Sequence, residues 1–168
     1  MSFSGQRVTW REWLGLGAGL LALGSLFLPW TTLSTSQSEV ADALKSLSGA
    51  EVVRDGWSSG LFAWLPPLLL LVVGVAVTVF GQVRKVRISG LPQLWLVFGG
   101  LVALMTIIGW GAIAYQFDSE VRALFAVGGI EVNAGAGRYL GSLALVVSLA
   151  AAVLDVLAFR GERRSPRR

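Results

Sequence analysis

The sequence contains no cysteine and no histidine, and it carries little charge. Without those two residues the chain has no disulfide, no zinc or haem site that they ligate, no thiol nucleophile and no imidazole base. Charged residues make up 14% of the chain, against about a quarter in a typical soluble domain. We therefore predict a membrane-type composition and a protein that is not an enzyme, with no catalytic residue, no metal and no cofactor.

Apolar residues are abundant instead, at 54% of the 168 residues, and the mean hydropathy is +0.68. They come in four nearly continuous blocks separated by polar stretches. A helix of about 20 apolar residues crosses the hydrocarbon layer of a membrane, and each block has roughly that length. The sequence predicts an all-α membrane protein, a single four-transmembrane-helix bundle over residues 1–168. The predicted spans are residues 13–30, 60–81, 91–115 and 140–159.

Basic residues are unequally divided between the segments that join these spans. The N-terminal segment, the link 82–90 and the tail 160–168 carry ten Lys and Arg, whereas the loops 31–59 and 116–139 carry four. Because basic residues favour the cytoplasmic side, we predict a multi-pass protein of the bacterial plasma membrane. Both termini would be cytoplasmic and the two loops external. This bias accounts for the net charge of +4, so we expect no nucleic-acid partner.

Tryptophans lie near the ends of the predicted spans. An indole ring combines an apolar body with one N–H donor, which favours the interfacial zone of a membrane. We predict that these side chains are interfacial anchors, with a ligand contact as the alternative. The predicted anchors are Trp13, Trp30, Trp64, Trp95 and Trp110.

The two halves of the chain are similar at an offset of 80 residues. Trp30 matches Trp110, and the G-x-E-V run at 49–52 matches the run at 129–132. We predict a duplication that produces two tandem helical hairpins, each with small helix and strand elements in its external loop. The two strands would pair with each other, or else the loop helices would lie on the membrane surface.

Small residues recur at helical spacing inside the spans, and small faces let helices approach closely in lipid. The predicted helix-packing or partner contacts are Gly15, Gly19, Gly99, Gly141, Ser148, Ala152 and Asp155. An acid inside a span usually faces protein or water. Asp155 is expected to reach the interface or to pair with Arg160, Arg84 or Lys85. A proton or ion site and a contact to another subunit are its alternatives.

Three short motifs support a resemblance to a known group of proteins. Leu28-Pro29-Trp30 closes the first predicted span, GWSSG at 56–60 enters the second, and GAGRYLGSLAL at 135–145 enters the fourth. In these motifs the chain resembles small four-span integral membrane proteins of actinobacteria, over most of its length. The resemblance implies an actinobacterial cell envelope and no particular activity. The four-span plan also looks like that of claudins, but the claudin cysteine pair and W-x-x-W motif are missing.

Small size, helix-packing faces and loops without catalytic groups favour one function. We predict a non-catalytic accessory, assembly or stabilising subunit of a larger bacterial membrane protein complex. Its partners would be other integral membrane subunits, lipids, or further copies of the chain. Two alternatives stay open: a sensor or regulator that binds a lipid or small ligand on the external loops, and a small transporter that uses Asp155.

Overall fold

The fold is a helical bundle with a small antiparallel sheet at one end. The computed structural model describes residues 8–46 and 49–164. In chain order the elements are α1 (Trp10–Ser25), β1 (Pro29–Thr35), α2 (Ser38–Ser46), α3 (Gly49–Val52), β2 (Val53–Asp55), α4 (Leu61–Phe80), α5 (Arg84–Ile88), α6 (Leu91–Gly111), a 3₁₀ turn (Ile113–Gln116), α7 (Ser119–Val127), β3 (Ile130–Ala134) and α8 (Ala136–Arg164).

Three of these helices are long and apolar enough to cross a membrane, within the described residues. They are α4, α6 and the Ala136–Gly161 part of α8, in agreement with a membrane protein. α1 has 16 residues, which is about 24 Å of helix at 1.5 Å per residue. The predicted count of four spans is therefore not confirmed, and α1 covers Trp10–Ser25 where the first span was predicted over 13–30.

The true limits of α1 have local causes. Thr9 and Glu12 form a capping box: Glu12 N–H donates to Thr9 Oγ1 at 3.4 Å, and Thr9 N–H donates to Glu12 Oε2 at 2.7 Å. At the other end the Ser25 carbonyl accepts the Trp30 indole N–H at 2.6 Å. Beyond it the chain turns into β1, where Thr31 and its β-branched neighbours favour extended backbone.

The four long helices pack as antiparallel neighbours along the chain. α1 and α4 come closest, because glycines face the partner backbone at two levels. A Cβ on Gly19 would lie 2.8 Å from Leu71 Cα, and one on Gly74 would lie 2.6 Å from Gly15 O. Side chains fill three buried clusters along the bundle, centred on Leu26 near the sheet, on Val102 in the middle and on Trp95 toward the opposite end.

The sheet has the order β2-β1-β3, with both neighbours antiparallel to β1. β1 pairs with β3 from Thr31↔Ala134 to Thr35↔Ile130. The predicted pairing of the two loop strands with each other is wrong, since β1 lies between them. Sequence reasoning missed β1 because it assigned Pro29 and Trp30 to the first span. We call this side of the bundle the sheet end and the other the Asp155 end.

The remaining predicted boundaries differ in smaller ways. The second span, 60–81, corresponds closely to α4. The third, 91–115, breaks at Gly111 and continues as the 3₁₀ turn. The fourth, 140–159, is shorter than α8, which begins at Ala136 and extends to Arg164. The last residues of the tail, 165–168, lie outside the described part of the chain.

The predicted loop elements are present, but the two loops differ. Both contain a short helix, α2 or α7, and Gly129 with φ +57° turns the chain from α7 into β3. The G-x-E-V run at 129–132 leads into β3 as expected, whereas the matching run at 49–52 forms α3. The similarity between the halves therefore does not extend to the local structure of these runs.

Candidate functional site

Arg138 is the most unusual charged residue at the sheet end. It lies in the first turn of α8 with 4% of its surface exposed. Its Nη1 donates to Gly109 O at 2.6 Å and its Nε donates to Trp30 O at 3.4 Å. Gly109 is in the last turn of α6, where carbonyls lack partners within the helix. Arg138 thus joins the starts of α8 and β1 to the end of α6.

Two tryptophans enclose this guanidinium. Arg138 Cζ lies 5.6 Å from the ring centroid of Trp30 and 5.6 Å from that of Trp110. Each indole is held by its own hydrogen bond: Trp30 Nε1 donates to Ser25 O, and Trp110 Nε1 donates to Ser142 Oγ at 3.0 Å. The two tryptophans that match in the sequence repeat therefore meet at one cation. A cation–π contact contributes about 0.5–2 kcal/mol, most when it is desolvated.

The charge of Arg138 has no protein counterion in the described part of the chain, since none of the ion pairs there includes it. A guanidinium has five N–H donors, and two of them donate to the carbonyls of Trp30 and Gly109. Three donors are left for another acceptor. Removing an unpaired charge from water is costly, so this site favours an anion.

A cavity of about 260 Å³ lies beside Arg138, between the start of α4 and the end of α6. The lining side chains with polar groups are Arg138, Ser59, Gln116 and Tyr115, and apolar side chains form most of the rest. Gln116 Nε2 donates to Thr31 Oγ1 at 3.0 Å and to Ile113 O at 2.8 Å. Gln116 Oε1 is buried without a hydrogen-bond partner. That oxygen is closed off from solvent, so Arg138 supplies the donors that the cavity offers to a ligand.

A second polar cluster surrounds Asp155 at the opposite end of the bundle. Asp155 is 3% exposed, and its Oδ1 accepts from Arg11 Nε at 3.1 Å and from Arg87 Nη2 at 3.4 Å. The side chains of Arg84 and Lys85, two of its expected partners, lie outside the described part. The partners that the structure provides come from α1 and α5 instead. One carboxylate thus connects α8 to the start of α1 and to α5, in the link between the two hairpins.

The other predicted packing residues lie buried between helices of this chain. A Cβ on Gly15 would meet the Trp95 ring, one on Gly99 would meet Leu149, and one on Gly141 would meet Ser25 Oγ and the Trp30 ring. Ser148 Oγ accepts the Trp95 indole N–H at 3.3 Å, and Ala152 belongs to the same cluster as Trp95. These contacts are within one chain, and contact with a partner stays a prediction for them.

The tryptophans divide into two groups. Trp13 is 47% exposed, and Trp64 and Trp110 are half-buried. Trp30 and Trp95 are 5% and 1% exposed, so both rings lie inside the bundle, and anchoring at the membrane surface stays a prediction. Their size and their indole N–H groups are used inside the bundle, where each donor finds an acceptor.

Sequence reasoning missed two buried charged residues that carried a signal. Glu12 is 1% exposed, and the Thr9-x-x-Glu12 spacing is that of a capping box. Arg138 was counted as a loop charge, although a helix start after Gly135 was compatible with its sequence. The described residues contain no group of three His, Cys, Asp or Glu side chains placed to hold a metal.

No family model matches the chain, and no curated protein or solved structure matches it significantly.

Proposed function

We propose that the chain is a non-catalytic accessory, assembly or stabilising subunit of a larger bacterial membrane protein complex. The observation that carries this proposal is the uncovered side of α6. Val97, Leu104 and Ile107 are 67%, 56% and 68% exposed. They alternate with the exposed Gly100 and Gly111 at spacings of three and four residues. We call these five residues the α6 seam.

The α6 seam has the pattern of a helix–helix contact. Spacings of three and four are those of left-handed helix packing, and glycines at such a contact let two backbones approach. A Cβ on Gly100 or Gly111 would meet nothing within 4 Å, so the space beside both glycines is open to a neighbour. Another integral membrane subunit fits this face, and a second copy of the chain is the alternative occupant.

The membrane arrangement is part of the proposal. We propose that α1 enters the plasma membrane beside the three longer helices, because it packs tightly against α4 and continues through the turn at Leu26–Leu28. This makes four spans. The bias of basic residues toward the Asp155 end supports cytoplasmic termini and an external sheet end.

A matched pair of variants tests the subunit proposal. Gly100→Leu fills the open space beside Gly100 in the α6 seam. Gly17→Leu adds the same side chain at an exposed glycine of α1 that also has open space beside it. Tagged protein would be purified from its own membranes in a mild detergent, and co-purifying proteins would be quantified by mass spectrometry. Gly100→Leu should reduce the amount of a stoichiometric partner at least tenfold, and Gly17→Leu should not. Wild-type protein that purifies without any stoichiometric membrane protein would refute the proposal.

The two alternative functions differ in their support. The transporter alternative needs an Asp155 that binds and releases a proton or an ion during each cycle. In the structure its carboxylate forms ion pairs with Arg11 and Arg87. That geometry favours a structural role. The sensor or regulator alternative is favoured by the cavity beside Arg138, which is a ligand-sized space next to an uncompensated cation.

A further inference from the structure

We propose that the cavity beside Arg138 binds the head group of an anionic membrane amphiphile. The phosphodiester head of a phosphatidylglycerol-type lipid has this chemistry. The proposal concerns binding at this cavity alone. It does not depend on the α6 seam, and it holds whether or not the chain is a sensor.

The anion would be held by Arg138. Its two hydrogen bonds to carbonyls fix the guanidinium in place, and the rings of Trp30 and Trp110 keep it from turning. The donors that remain match the oxygens of a phosphate, because guanidinium and phosphate oxygens form paired, charge-assisted hydrogen bonds. A side chain that is already ordered loses little entropy when a ligand binds.

The start of α4 adds a second positive element. Ser59, Gly60 and the first three residues of α4 line the cavity. Gly60 is the N-cap, and no side chain caps the free N–H groups of this 20-residue helix. Those N–H groups and the helix dipole favour an anion at this position. Gly60 has φ +90°, a conformation that L residues with a Cβ rarely adopt, so the entry into α4 depends on glycine.

The apolar part of the ligand follows from the mouth of the cavity. Leu61, Phe62 and Tyr115 line it, and their side chains are 51%, 38% and 72% exposed. The volume of about 260 Å³ is below that of most drug-sized pockets, which begin at about 300 Å³. It therefore suits a head group, while the acyl chains would extend along the exposed apolar side chains into the membrane.

Delipidated full-length protein in a zwitterionic detergent tests this proposal. Phosphatidylglycerol, phosphatidylcholine and sodium phosphate would be added separately, with thermal unfolding and native mass spectrometry as readouts. We expect phosphatidylglycerol to bind and to raise the unfolding temperature, and the other two to have little effect. Equal effects of phosphatidylglycerol and phosphatidylcholine would overturn the proposal. Stabilisation by phosphate that equals that by phosphatidylglycerol would overturn the amphiphile and leave a free oxyanion as the ligand.

Variants locate the binding. Arg138→Gln should weaken phosphatidylglycerol binding at least tenfold, and Arg160→Gln, at the exposed far end of the same helix, should not. Because Arg138→Gln also removes hydrogen bonds to two carbonyls, Ala112→Leu provides a second variant that fills the cavity and leaves every polar group in place. Its control is Ala123→Leu on the exposed side of α7. Phosphatidylglycerol preference that survives in both cavity variants would refute the proposal.

Discussion

Replacing Asp155 with Asn removes the negative charge that two arginines share at the Asp155 end of the bundle. Both hydrogen bonds, from Arg11 Nε at 3.1 Å and from Arg87 Nη2 at 3.4 Å, end on Oδ1. Asparagine keeps an oxygen at that position and has nearly the same volume. The substitution therefore removes charge and leaves packing almost unchanged, so its effect on stability reports the electrostatic part of the interaction.

The magnitude follows from the burial of the three groups. The arginines stay charged, so the amide oxygen of asparagine still accepts charge-assisted hydrogen bonds of about 1.5–3 kcal/mol, and the attraction between opposite charges is what is lost. Removing one partner of a fully buried ion pair costs about 3–5 kcal/mol. The arginine side chains are 18% and 21% exposed, and water reaching them reduces this cost. We expect Asp155→Asn to lower the free energy of unfolding by about 2–3 kcal/mol.

Unfolding in mixed micelles, followed by circular dichroism, would measure this change. Asp42→Asn is the matched control, because Asp42 and Lys45 form an exposed ion pair with side chains 76% and 77% exposed; we expect about 0–0.5 kcal/mol there. In a background where Arg11 and Arg87 are both Gln, Asp155→Asn should cost under about 1 kcal/mol. An effect of Asp155→Asn no larger than that of Asp42→Asn, or one undiminished in the double-Gln background, would show the reasoning to be mistaken.

Two further predictions concern packing and pH. Gly19→Ala should destabilise the bundle by about 1–3 kcal/mol, because the new Cβ would lie 2.8 Å from Leu71 Cα. The control is Gly17→Ala, whose Cβ would meet nothing within 4 Å and which should be neutral or slightly stabilising. Equal effects of the two substitutions in the unfolding assay would contradict this prediction. The Ser58 hydroxyl and N–H donate to Asp55 and lower the pKa of its carboxyl below the ordinary 3.8. These hydrogen bonds therefore stabilise the folded state fully above the pKa of Asp55 in the unfolded chain, and their contribution is lost as the pH falls through its pKa in the folded protein. Ser58→Ala should raise the Asp55 pKa in a carbon-13 NMR titration, and an unchanged pKa would contradict that assignment.

Some elements of the fold could be predicted from the sequence and others could not, for physical reasons. α4 and α6 are long apolar runs that end at glycines and charges, so hydropathy alone predicts them closely. β1 was missed because Leu28, Pro29 and Trp30 are as apolar as a helix end, and its strand pairing depends on residues more than 20 and 90 positions away. Tertiary contact, rather than local preference, decides that segment.

Part of the candidate site could likewise be predicted from the sequence, and part could not. The exceptional burial of Asp155 was foreseeable from its position inside an apolar run. Its partners were not foreseeable, because Arg11 is 144 residues away and approaches only when α1 packs against α8. Arg138 was harder still, since its neighbours in sequence are glycines and a tyrosine typical of a turn. The contacts that bury it come from Trp30 on β1 and from Gly109 and Trp110 on α6.

The central place of β1 in the sheet has a consequence for how the molecule is made. Synthesis proceeds from the N-terminus, so β1 and β2 are available early, but one edge of β1 has no backbone partner until β3 emerges about 100 residues later. Arg138 follows β3 by four residues and links Trp30 to Gly109. The nascent first hairpin therefore carries an unfinished sheet edge through most of translation. Closure of the sheet end comes late, when the second hairpin supplies both the missing strand and the arginine behind it.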